Sequence, residues 1–309
     1  MEKLVQISNH QPRQRRPEWL RIRLSTPESY RQVSKLVERL NLNTVCQEAR
    51  CPNIYECWGE HGTATFMILG DICTRRCGFC AVKTGKPGAV DPAEPENVAE
   101  AVEVMGLRHA VITSVDRDDL PDGGARHWAA VINAVHRRNP STAVEVLTGD
   151  FRGVDDALDI VLAERPEIFS HNVETVPRMY RKARPGSSYE RTLNLLRDAA
   201  ERRDRGEFGG RVKASVMVGI GERREELFET IRDIRDAGVE VLAIGQYLQP
   251  TRDHLPIDRY VHPDEFAEYK AFAMELGFKH CESGPLVRSS YHAHEHVGNE
   301  LREPQAIAS

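Results

Sequence analysis

The stretch TFMILGDICTRRCGFC, Thr65 to Cys80, decides the fold. Its opening residues TFMILG form a short apolar run, which is typical of a strand buried in a parallel sheet. The segment CTRRCGFC then places three cysteines just beyond this strand, at C-x₃-C-x₂-C spacing. In parallel α/β barrels, the chemistry lies at the carboxyl ends of the strands. We therefore predict that the loop from Cys73 to Cys80 belongs to a functional site.

Five further β-rich runs follow, and helix-like segments separate them. The runs are 109–114, 143–148, 168–173, 212–219 and 240–246. The helix-like segments lie near 27–42, 95–105, 126–138, 153–165, 188–204, 223–237 and 263–276. Strands that alternate with helices predict a parallel sheet with helices outside it. Six strand–helix units are fewer than the eight of a closed barrel, so we expect an α/β fold built as a partial, open (βα)6 TIM-type barrel.

The composition is that of a soluble globular protein, with 309 residues, 40% hydrophobic and 29% charged. No apolar run approaches the ~18 residues that a membrane span requires. The polar N-terminus has no apolar signal core. The formal net charge of -5 provides no overall positive field for nucleic acid. We therefore expect a cytoplasmic protein with neither a membrane nor a nucleic acid among its partners.

The cysteines are clustered, since six of the seven lie between Cys46 and Cys80. In an intracellular chain, such clustering favours metal binding over disulfides. Soft thiolates suit zinc or iron–sulfur clusters. Structural zinc usually has four ligands, and no suitably spaced histidine directly follows Cys80. Three thiolates on a four-iron cluster leave one iron open to a ligand, whereas a zinc knuckle is the alternative for this loop.

The loop resembles the signature of the radical S-adenosylmethionine enzymes, C-x₃-C-x-aromatic-C, with Phe79 in the aromatic position. The resemblance implies a [4Fe-4S] cluster on Cys73, Cys77 and Cys80, whose open iron binds S-adenosylmethionine. In that family, an electron from the cluster breaks the sulfonium bond and releases a 5′-deoxyadenosyl radical, which abstracts hydrogen from an unactivated carbon. The cofactors supply this chemistry, and the protein supplies orientation and shielding.

Several later loops resemble the family's contacts to S-adenosylmethionine. DDLPDGGA (118–125) resembles its glycine-rich motif, although Ala125 stands where the usual pattern has an acid; a plain turn is the alternative. HNVET (171–175) resembles the segment that binds the ribose hydroxyls, with a capping pair as the alternative. RKARPGSSYER (181–191) offers two arginines that could reach a carboxylate or lie on the surface. The predicted cofactor-binding residues are Phe79, Gly123, Gly124, Asn172, Glu174, Arg184 and Arg191.

A separate cysteine group, VCQEARCPNIYECW (45–58), precedes the first strand and reads C-x₄-C-x₅-C. Together, the two groups closely resemble the lipoyl synthase family. The match continues in HNVETVPRMYRKARPG, QYLQPT and GPLVRSSYHA, and it covers nearly the whole chain after the leader. We call Cys46, Cys51 and Cys57 the first cysteine group and Cys73, Cys77 and Cys80 the second, in the order of the chain. In that family a second, auxiliary [4Fe-4S] cluster is held by the first cysteine group and a serine of RSSY.

Carried over to this chain, the resemblance implies an auxiliary cluster whose ligands also serve in catalysis. These metal-binding and catalytic residues are Cys46, Cys51, Cys57 and Ser290, with Ser289 as the fallback. An alkoxide matches cluster iron less well than a thiolate does and is easily protonated and lost. Since the family uses this cluster's sulfides as the sulfur donor, we hypothesise that the weak fourth bond helps the cluster come apart. A zinc site on the three cysteines and Cys281 is the alternative.

The resemblance implies insertion of two sulfur atoms, at C6 and C8, into an octanoyl chain on a lysine of a carrier domain. The carrier is the E2 component of a 2-oxo-acid dehydrogenase complex or the H protein of the glycine cleavage system. The implied cofactors are two [4Fe-4S] clusters and S-adenosylmethionine. Further partners are an electron donor such as flavodoxin or ferredoxin, and an iron–sulfur carrier that rebuilds the auxiliary cluster. A different radical sulfur-inserting enzyme and a zinc-stabilised nucleic-acid module are the alternatives, the second disfavoured by the acidic net charge.

We divide the chain into three regions. Residues 1–60 form an N-terminal extension with the first cysteine group, 61–280 the partial barrel, and 281–309 a C-terminal extension with the RSSY serine. The tail HAHEH (292–296) is interpreted as solvated rather than metal-binding, because chain ends are commonly mobile. Arg288 could orient the carboxyl end of a substrate or pair with an acid.

Overall fold

The computed structural model describes residues 15–21, 28–48, 51, 53–59 and 64–290. The strands are β1 Asn43–Thr44, β2 Thr65–Ile68, β3 Ile72–Cys73, β4 Lys83–Thr84, β5 His109–Ser114, β6 Ala143–Leu147, β7 Ile168–Ser170, β8 Arg211–Val218, β9 Val241–Gln246 and β10 His280–Gly284. The helices are α1 Glu28–Arg39, α2 Val45–Glu48, α3 Ile54–Gly59, α4 Glu94–Met105, α5 Ala125–Arg138, α6 Ala157–Ala163, α7 Tyr180–Ala183, α8 Tyr189–Asp204, α9 Arg224–Asp236 and α10 Pro263–Glu275.

The main sheet has eight strands in the order β1-β2-β5-β6-β7-β8-β9-β10. Neighbours from β2 to β10 pair in parallel, and β1 pairs antiparallel with β2 at one edge. Within the described ranges β10 forms no ladder with β1 or β2, so the barrel is open between them. The predicted α/β partial barrel is therefore confirmed.

The structure adds a seventh parallel strand, β10, to the six that the sequence predicts. Its residues HCESG pair with β9 from His280 opposite Val241 to Gly284 opposite Gly245. Only Cys281 is buried, so the strand lacks the apolar run by which the other strands are found. The predicted boundary between 280 and 281 falls inside this strand, and the division into three regions stays a prediction.

The predicted helices are present, but α6 begins later than the sequence indicates. Phe151 and Arg152 adopt positive φ angles of 46° and 56° and form a 3₁₀ turn with Gly153. The Asp150 side chain accepts a hydrogen bond from the Arg152 amide in this turn. A left-handed backbone cannot continue an α-helix, which delays α6 to Ala157.

In the part of the chain that is described, no helix combines the length and apolar character that a bilayer crossing requires.

The core lies between the sheet and its outer helices. In α5, for example, Trp128, Val131, Ile132 and Val135 are fully buried at helical spacing. Each such side chain contributes about 1.5–3 kcal/mol to stability by leaving water. Strand β5 is buried along nearly its whole length, as expected where helices cover one face and the barrel interior covers the other.

A charged pair is buried on the inner face of the barrel. Lys213 Nζ of β8 lies 2.7 Å from Glu145 Oε1 of β6, and both side chains are almost fully inaccessible. Glu145 Oε2 also lies 3.2 Å from His109 Nε2 of β5. Two residues further along their strands, Leu147 and Ser215 line the cavity described next, which places the pair on the same inner face.

Candidate functional site

A cavity of about 510 Å³ lies where the barrel strands end. It is bordered by the strand ends, the Cys73–Cys80 loop, the segment before β2 and the segment after β10. Five cysteines from the two predicted groups line it: Cys46, Cys51, Cys73, Cys77 and Cys80. Phe79, Asn172, Glu174, Arg184, Ser289 and Ser290 line it too. The fold therefore brings most of the predicted site residues to one place.

The second cysteine loop is held by main-chain hydrogen bonds on both sides of Gly78. The Gly78 amide donates to Ala183 O, and the Leu255 amide donates to Gly78 O, each at 2.8 Å. A Cβ at position 78 would lie 2.9 Å from Leu255 Cγ and 3.1 Å from Lys182 O, so a side chain would not fit without movement. Glycine at this position lets two neighbouring segments clamp the loop.

His254 adds a further anchor to the loop. Its Nε2 donates to Cys80 O at 2.8 Å, because a carbonyl can only accept. The Thr251 hydroxyl lies 2.8 Å from Nδ1, and it donates to this unprotonated nitrogen. The Gln249 side chain donates to His254 O, which fixes the segment itself. His254 was not singled out from the sequence, where only the adjoining QYLQPT (246–251) was noted, for its resemblance to the family.

We expect His254→Ala to loosen this loop in the metal-free protein. Losing a hydrogen bond of this kind costs about 1 kcal/mol, or roughly a fivefold shift toward open states. Alkylation of Cys80 by iodoacetamide, followed by peptide mass spectrometry, should accelerate by about that factor. His262→Ala, at a histidine away from the loop, is the control. An unchanged Cys80 rate in His254→Ala would show that the anchor has no role.

The thiols of the second group lie in a setting that disfavours their ionisation in the absence of metal. Burial raises the pKa of Cys77 to about 12, with Arg184 opposing the shift, and burial raises the pKa of Cys80 to about 11. Burial and the nearby Asp116 raise the pKa of Cys73. Because metals bind thiolates, positive charge from bound metal is needed to release these protons. The donor set fits a soft metal centre.

The first cysteine group lies next to the C-terminal segment. Burial raises the pKa of Cys46 to about 11, and the nearby Cys51 adds to the shift, while a hydrogen bond from the Thr65 main chain acts in the opposite direction. The Thr65 hydroxyl in turn donates to Ser290 Oγ at 3.0 Å. Thr65 therefore lies between Cys46 and Ser290, and it joins two segments that are far apart in sequence.

A second contact ties the same segments together. Asn53, between Cys51 and Cys57, donates through Nδ2 to Leu286 O at 2.8 Å. Cys57 lies in α3, is half-buried and does not line the cavity. Cys281 is buried in β10 and also lies away from the cavity lining, so it is Ser290 that the structure brings beside the first group. Within the described ranges, no three His, Cys, Asp or Glu side chains are arranged to hold a single metal ion.

The predicted ribose-binding residues form a strained and incompletely paired unit. Asn172 Nδ2 donates to Glu174 Oε1 at 3.1 Å, and Arg184 Nη1 donates to Asn172 O at 2.8 Å. Glu174 has a φ of 70°, which is unusual for a residue with a side chain and costs of order 1–3 kcal/mol. Asn172 Oδ1 is buried without a hydrogen-bond partner in the described structure. Backbone strain and unpaired buried acceptors are often found at functional sites, and ribose binding by Asn172 and Glu174 stays a prediction.

Three predicted cofactor-binding residues do not line the cavity. A Cβ at Gly124 would lie 2.6 Å from Leu69 Cδ1, so packing against Leu69 occupies the space beside this glycine. Gly123 lies against Phe151 in the same way. Arg191 donates to Asp150 Oδ2 at 2.8 Å. Contacts of these residues with S-adenosylmethionine stay a prediction.

His292, His294 and His296 lie outside the described residues.

An ion-pair network beside the second cysteine group was missed in the sequence. Arg75 binds Asp118 in a bidentate pair at 2.8 and 2.7 Å, and its Nη2 also lies 2.6 Å from Asp150 Oδ1. The Asp116 amide donates to Cys73 Sγ at 3.3 Å. The network ties the cysteine loop to the loop after β5. The acidic run DRDD directly after the second predicted strand was the signal that could have revealed it.

Comparisons with known proteins identify the family to which the chain belongs. The Radical SAM superfamily model matches residues 67–244, and the model for the N-terminal domain of lipoyl synthase of the Radical_SAM family matches residues 1–51. The lipoyl synthase of Halalkalibacterium halodurans is 53% identical over 290 residues, which cover 94% of each chain. That of Rubrobacter xylanophilus is 55% identical over 287 residues, covering 93% of this chain and 88% of the relative.

Solved structures support the fold alone. SuiB of Streptococcus suis, bound to the precursor peptide SuiA, superposes with a TM-score of 0.54 at 12% identity, covering 82% of this chain and 56% of SuiB. Methylornithine synthase superposes with a TM-score of 0.51 at 12% identity, covering 83% and 82%. With sequence relatives above half identity along almost its entire length, the chain belongs to the lipoyl synthase family of the radical SAM superfamily.

Proposed function

We propose that the chain is a lipoyl synthase, which inserts sulfur at C6 and C8 of an octanoyl chain amide-linked to a carrier lysine. The observation that supports this most is that one cavity is lined by Cys46 and Cys51 of the first group, by all three cysteines of the second group and by Ser290. A radical enzyme that needs only one cluster has no use for the first cysteine group or for a serine beside it. The family relatives carry the same name over nearly the full length of the chain.

The first [4Fe-4S] cluster, at which S-adenosylmethionine binds, would be held by the second cysteine group, Cys73, Cys77 and Cys80. The auxiliary cluster would be held by the first cysteine group, Cys46, Cys51 and Cys57, together with Ser290. When bound, the first cluster and S-adenosylmethionine supply a carbon-centred radical, and the auxiliary cluster supplies sulfur. The chain's own part is to position and to shield. Phe79 supports this, since its side chain packs against the small apolar cluster of Ala183, Ile220 and Tyr247.

Asn172, Glu174 and Arg184 would bind S-adenosylmethionine. The free Asn172 Oδ1 and the Glu174 carboxylate are acceptors suited to ribose hydroxyls. Arg184 lines the cavity beside Cys77 and holds the Asn172 main chain in place. Gly123, Gly124 and Arg191 would act from further away, since other side chains occupy their immediate surroundings.

The proposed partners follow from this chemistry. The substrate is an octanoylated carrier domain, from the E2 component of a 2-oxo-acid dehydrogenase complex or the glycine cleavage H protein. An electron donor such as flavodoxin or ferredoxin reduces the first cluster, and an iron–sulfur carrier rebuilds the auxiliary cluster. We place the protein in the cytoplasm, where such carriers operate.

The decisive experiment is anaerobic incubation of the reconstituted protein with an octanoylated carrier domain, dithionite and S-adenosylmethionine. Mass spectrometry of the carrier should show a gain of two sulfur atoms. Elemental analysis of the same preparation should find about eight irons per chain, as two four-iron clusters require. Zinc without sulfide, or an unmodified carrier, would overturn the proposal.

We expect Ser290→Cys to retain the auxiliary cluster but to lose sulfur transfer. A thiolate binds cluster iron more tightly than an alkoxide does, so the cluster should resist the disassembly that releases sulfide. Iron content should match that of the unmodified protein, whereas the dithiolated carrier should fall by at least about 100-fold.

Ser289→Cys is the matched control, because both serines line the cavity and only Ser290 bonds to Thr65 in the described structure. Full product from Ser290→Cys would contradict the weak-ligand hypothesis. Loss of product in Ser289→Cys alone would assign the ligand to Ser289 instead.

A further inference from the structure

The surface outside the Cys73–Cys80 loop carries a group of exposed cations. This outer basic face consists of Arg76, Lys86, Arg181, Lys182 and Arg252. Within the described residues none of the five forms an ion pair, whereas other exposed arginines do, such as Arg178 with Glu226 and Arg205 with Glu207. Unpaired cations on an acidic protein are a surface property that the fold itself does not require.

Each part of this face is attached directly to the cysteine loop. Arg76 lies within the loop, one residue before Cys77. The residue before Lys86 donates its amide to Cys73 O at 3.0 Å. The cations therefore surround a single short loop rather than being scattered over the surface.

The other three cations lie on the segments that clamp the loop at Gly78. Arg181 and Lys182 belong to α7, whose last residue accepts the Gly78 amide. Arg252 lies in the segment whose Leu255 amide donates to Gly78 O. The acidic groups nearby are few, since Asp71 is paired with Lys83 and Asp253 adjoins Arg252.

None of the five cations lines the cavity, although Arg16, Arg75, Arg184 and Arg288 do. The outer basic face is therefore exposed outside the space that substrate and S-adenosylmethionine require. A substrate chain has to enter the cavity to react. An electron only has to come close to the metal centre behind the loop.

We infer that the outer basic face docks an acidic one-electron carrier protein of the flavodoxin or ferredoxin class, which reduces the first cluster. This inference rests on the proposed function, since it requires a cluster on Cys73, Cys77 and Cys80. In each encounter, the carrier's reduced flavin or iron–sulfur group loses one electron and the cluster gains it, with no bond made or broken at the face. Complementary charge accelerates such encounters and is screened by salt.

The test compares two double variants with the same change in charge. Lys182→Glu/Arg252→Glu reverses the charge of two cations of the outer basic face. Arg76 is left unchanged, because a glutamate there would lie between the proposed cluster ligands Cys73 and Cys77. Arg108→Glu/Arg165→Glu is the matched control, because both arginines are exposed, form no ion pair in the described structure and precede strands at the opposite end of the barrel. Stopped-flow absorbance follows cluster reduction by reduced flavodoxin or ferredoxin and, separately, by dithionite.

At 0.01 M ionic strength the face variant should be reduced by the carrier protein about 10-fold more slowly than the unmodified chain. The difference should shrink at 1 M, where the Debye length is about 3 Å. Dithionite, a small anion, should be slowed far less than the carrier protein in the face variant, and the control should stay within about twofold of the unmodified chain. If the iron content of the glutamate variant falls, Lys182→Gln/Arg252→Gln replaces it. This variant should slow reduction by the carrier protein in the same way but to a smaller extent.

An unchanged rate in the face variant, or an equal loss in the control, would overturn the inference. So would a raised KM for the octanoylated carrier under dithionite with unaltered donor kinetics, since the face would then serve the substrate carrier. Failure of the proposed function is recognised separately. In that case the unmodified chain forms no dithiolated carrier with dithionite, whatever the reduction kinetics are.

Discussion

Cys51→Ala is expected to uncouple two reactions that the intact protein performs together. The variant should still cleave S-adenosylmethionine, because Cys73, Cys77 and Cys80 remain. It should form no detectable dithiolated carrier, a loss of at least about 100-fold, since the proposed auxiliary cluster would lack a ligand. The iron content should fall to about half of the eight atoms expected for two clusters. Liquid chromatography of 5′-deoxyadenosine and mass spectrometry of the carrier measure the two reactions in one incubation.

Two further variants serve as controls for this result, Cys80→Ala for loss of both reactions and Cys281→Ala for loss of neither. Cys80→Ala should abolish both 5′-deoxyadenosine and sulfur insertion, because the radical-generating cluster loses a ligand. Cys281→Ala should affect neither by more than about twofold, since Cys281 is buried in β10 away from the cavity lining. If Cys51→Ala produced dithiolated carrier at a normal rate, the first cysteine group would have no part in sulfur transfer.

Lys213→Met is expected to cause the largest loss of stability of any single substitution proposed for this protein. It leaves the Glu145 carboxylate buried without its ammonium partner, and breaking a buried pair in this way costs about 3–5 kcal/mol. The free energy of unfolding of the metal-free protein, from urea titration followed by circular dichroism, measures the effect. For a chain of this length, the melting temperature should fall by several degrees or more.

Glu145→Leu/Lys213→Met is the matched control, since removing both charges leaves no unpaired ion. We expect it to recover most of the lost stability, because replacing a buried pair with apolar groups is often neutral. His109 keeps its place but loses the Glu145 acceptor, so recovery should fall short by about 1 kcal/mol. A double variant as unstable as Lys213→Met would show that packing, rather than charge, accounts for the loss.

The same pair predicts how stability depends on pH. Burial acts to raise the pKa of Glu145, but Lys213 and His109 outweigh it and hold the pKa below its ordinary value. A carboxyl group whose pKa is lower in the folded chain stabilises the fold above its unfolded pKa, and this stabilisation is lost as the pH falls. The acid limb of the stability curve should therefore flatten in the double variant.

The barrel was predictable because its information is local. Apolar runs such as TFMILG and HAVITS identify strands that are buried on both faces, and the helices between them show helical periodicity. Strand β10 escaped because HCESG joins the sheet through main-chain pairing and contributes one buried side chain. The start of α6 was misplaced because Arg152 adopts a left-handed backbone that no apolar pattern records.

The site was only partly predictable, for reasons that differ between its residues. The cysteine spacing indicated metal chemistry directly, since soft thiolates in close succession have few other uses in such a chain. The pairing of Arg75 with Asp118 and Asp150 depends on three loops meeting, which spacing does not report. For Gly124 the sequence predicted a contact with S-adenosylmethionine that the structure does not place at the cavity. A glycine can allow the close approach of a neighbouring side chain as well as of a ligand, and here the side chain of Leu69 packs against it.

The sequence by itself determined the barrel class and the family, and it predicted the metal-binding side chains, because these rest on residue type and short-range spacing. Only the tertiary structure decided which of the distant groups meet. Ser290 reaches Thr65 beside Cys46 because β10 adds to the open edge of the barrel and returns the chain across the gap to β2. Contacts between residues so far apart are set by the order and register of strands, and no local pattern in the sequence encodes that order.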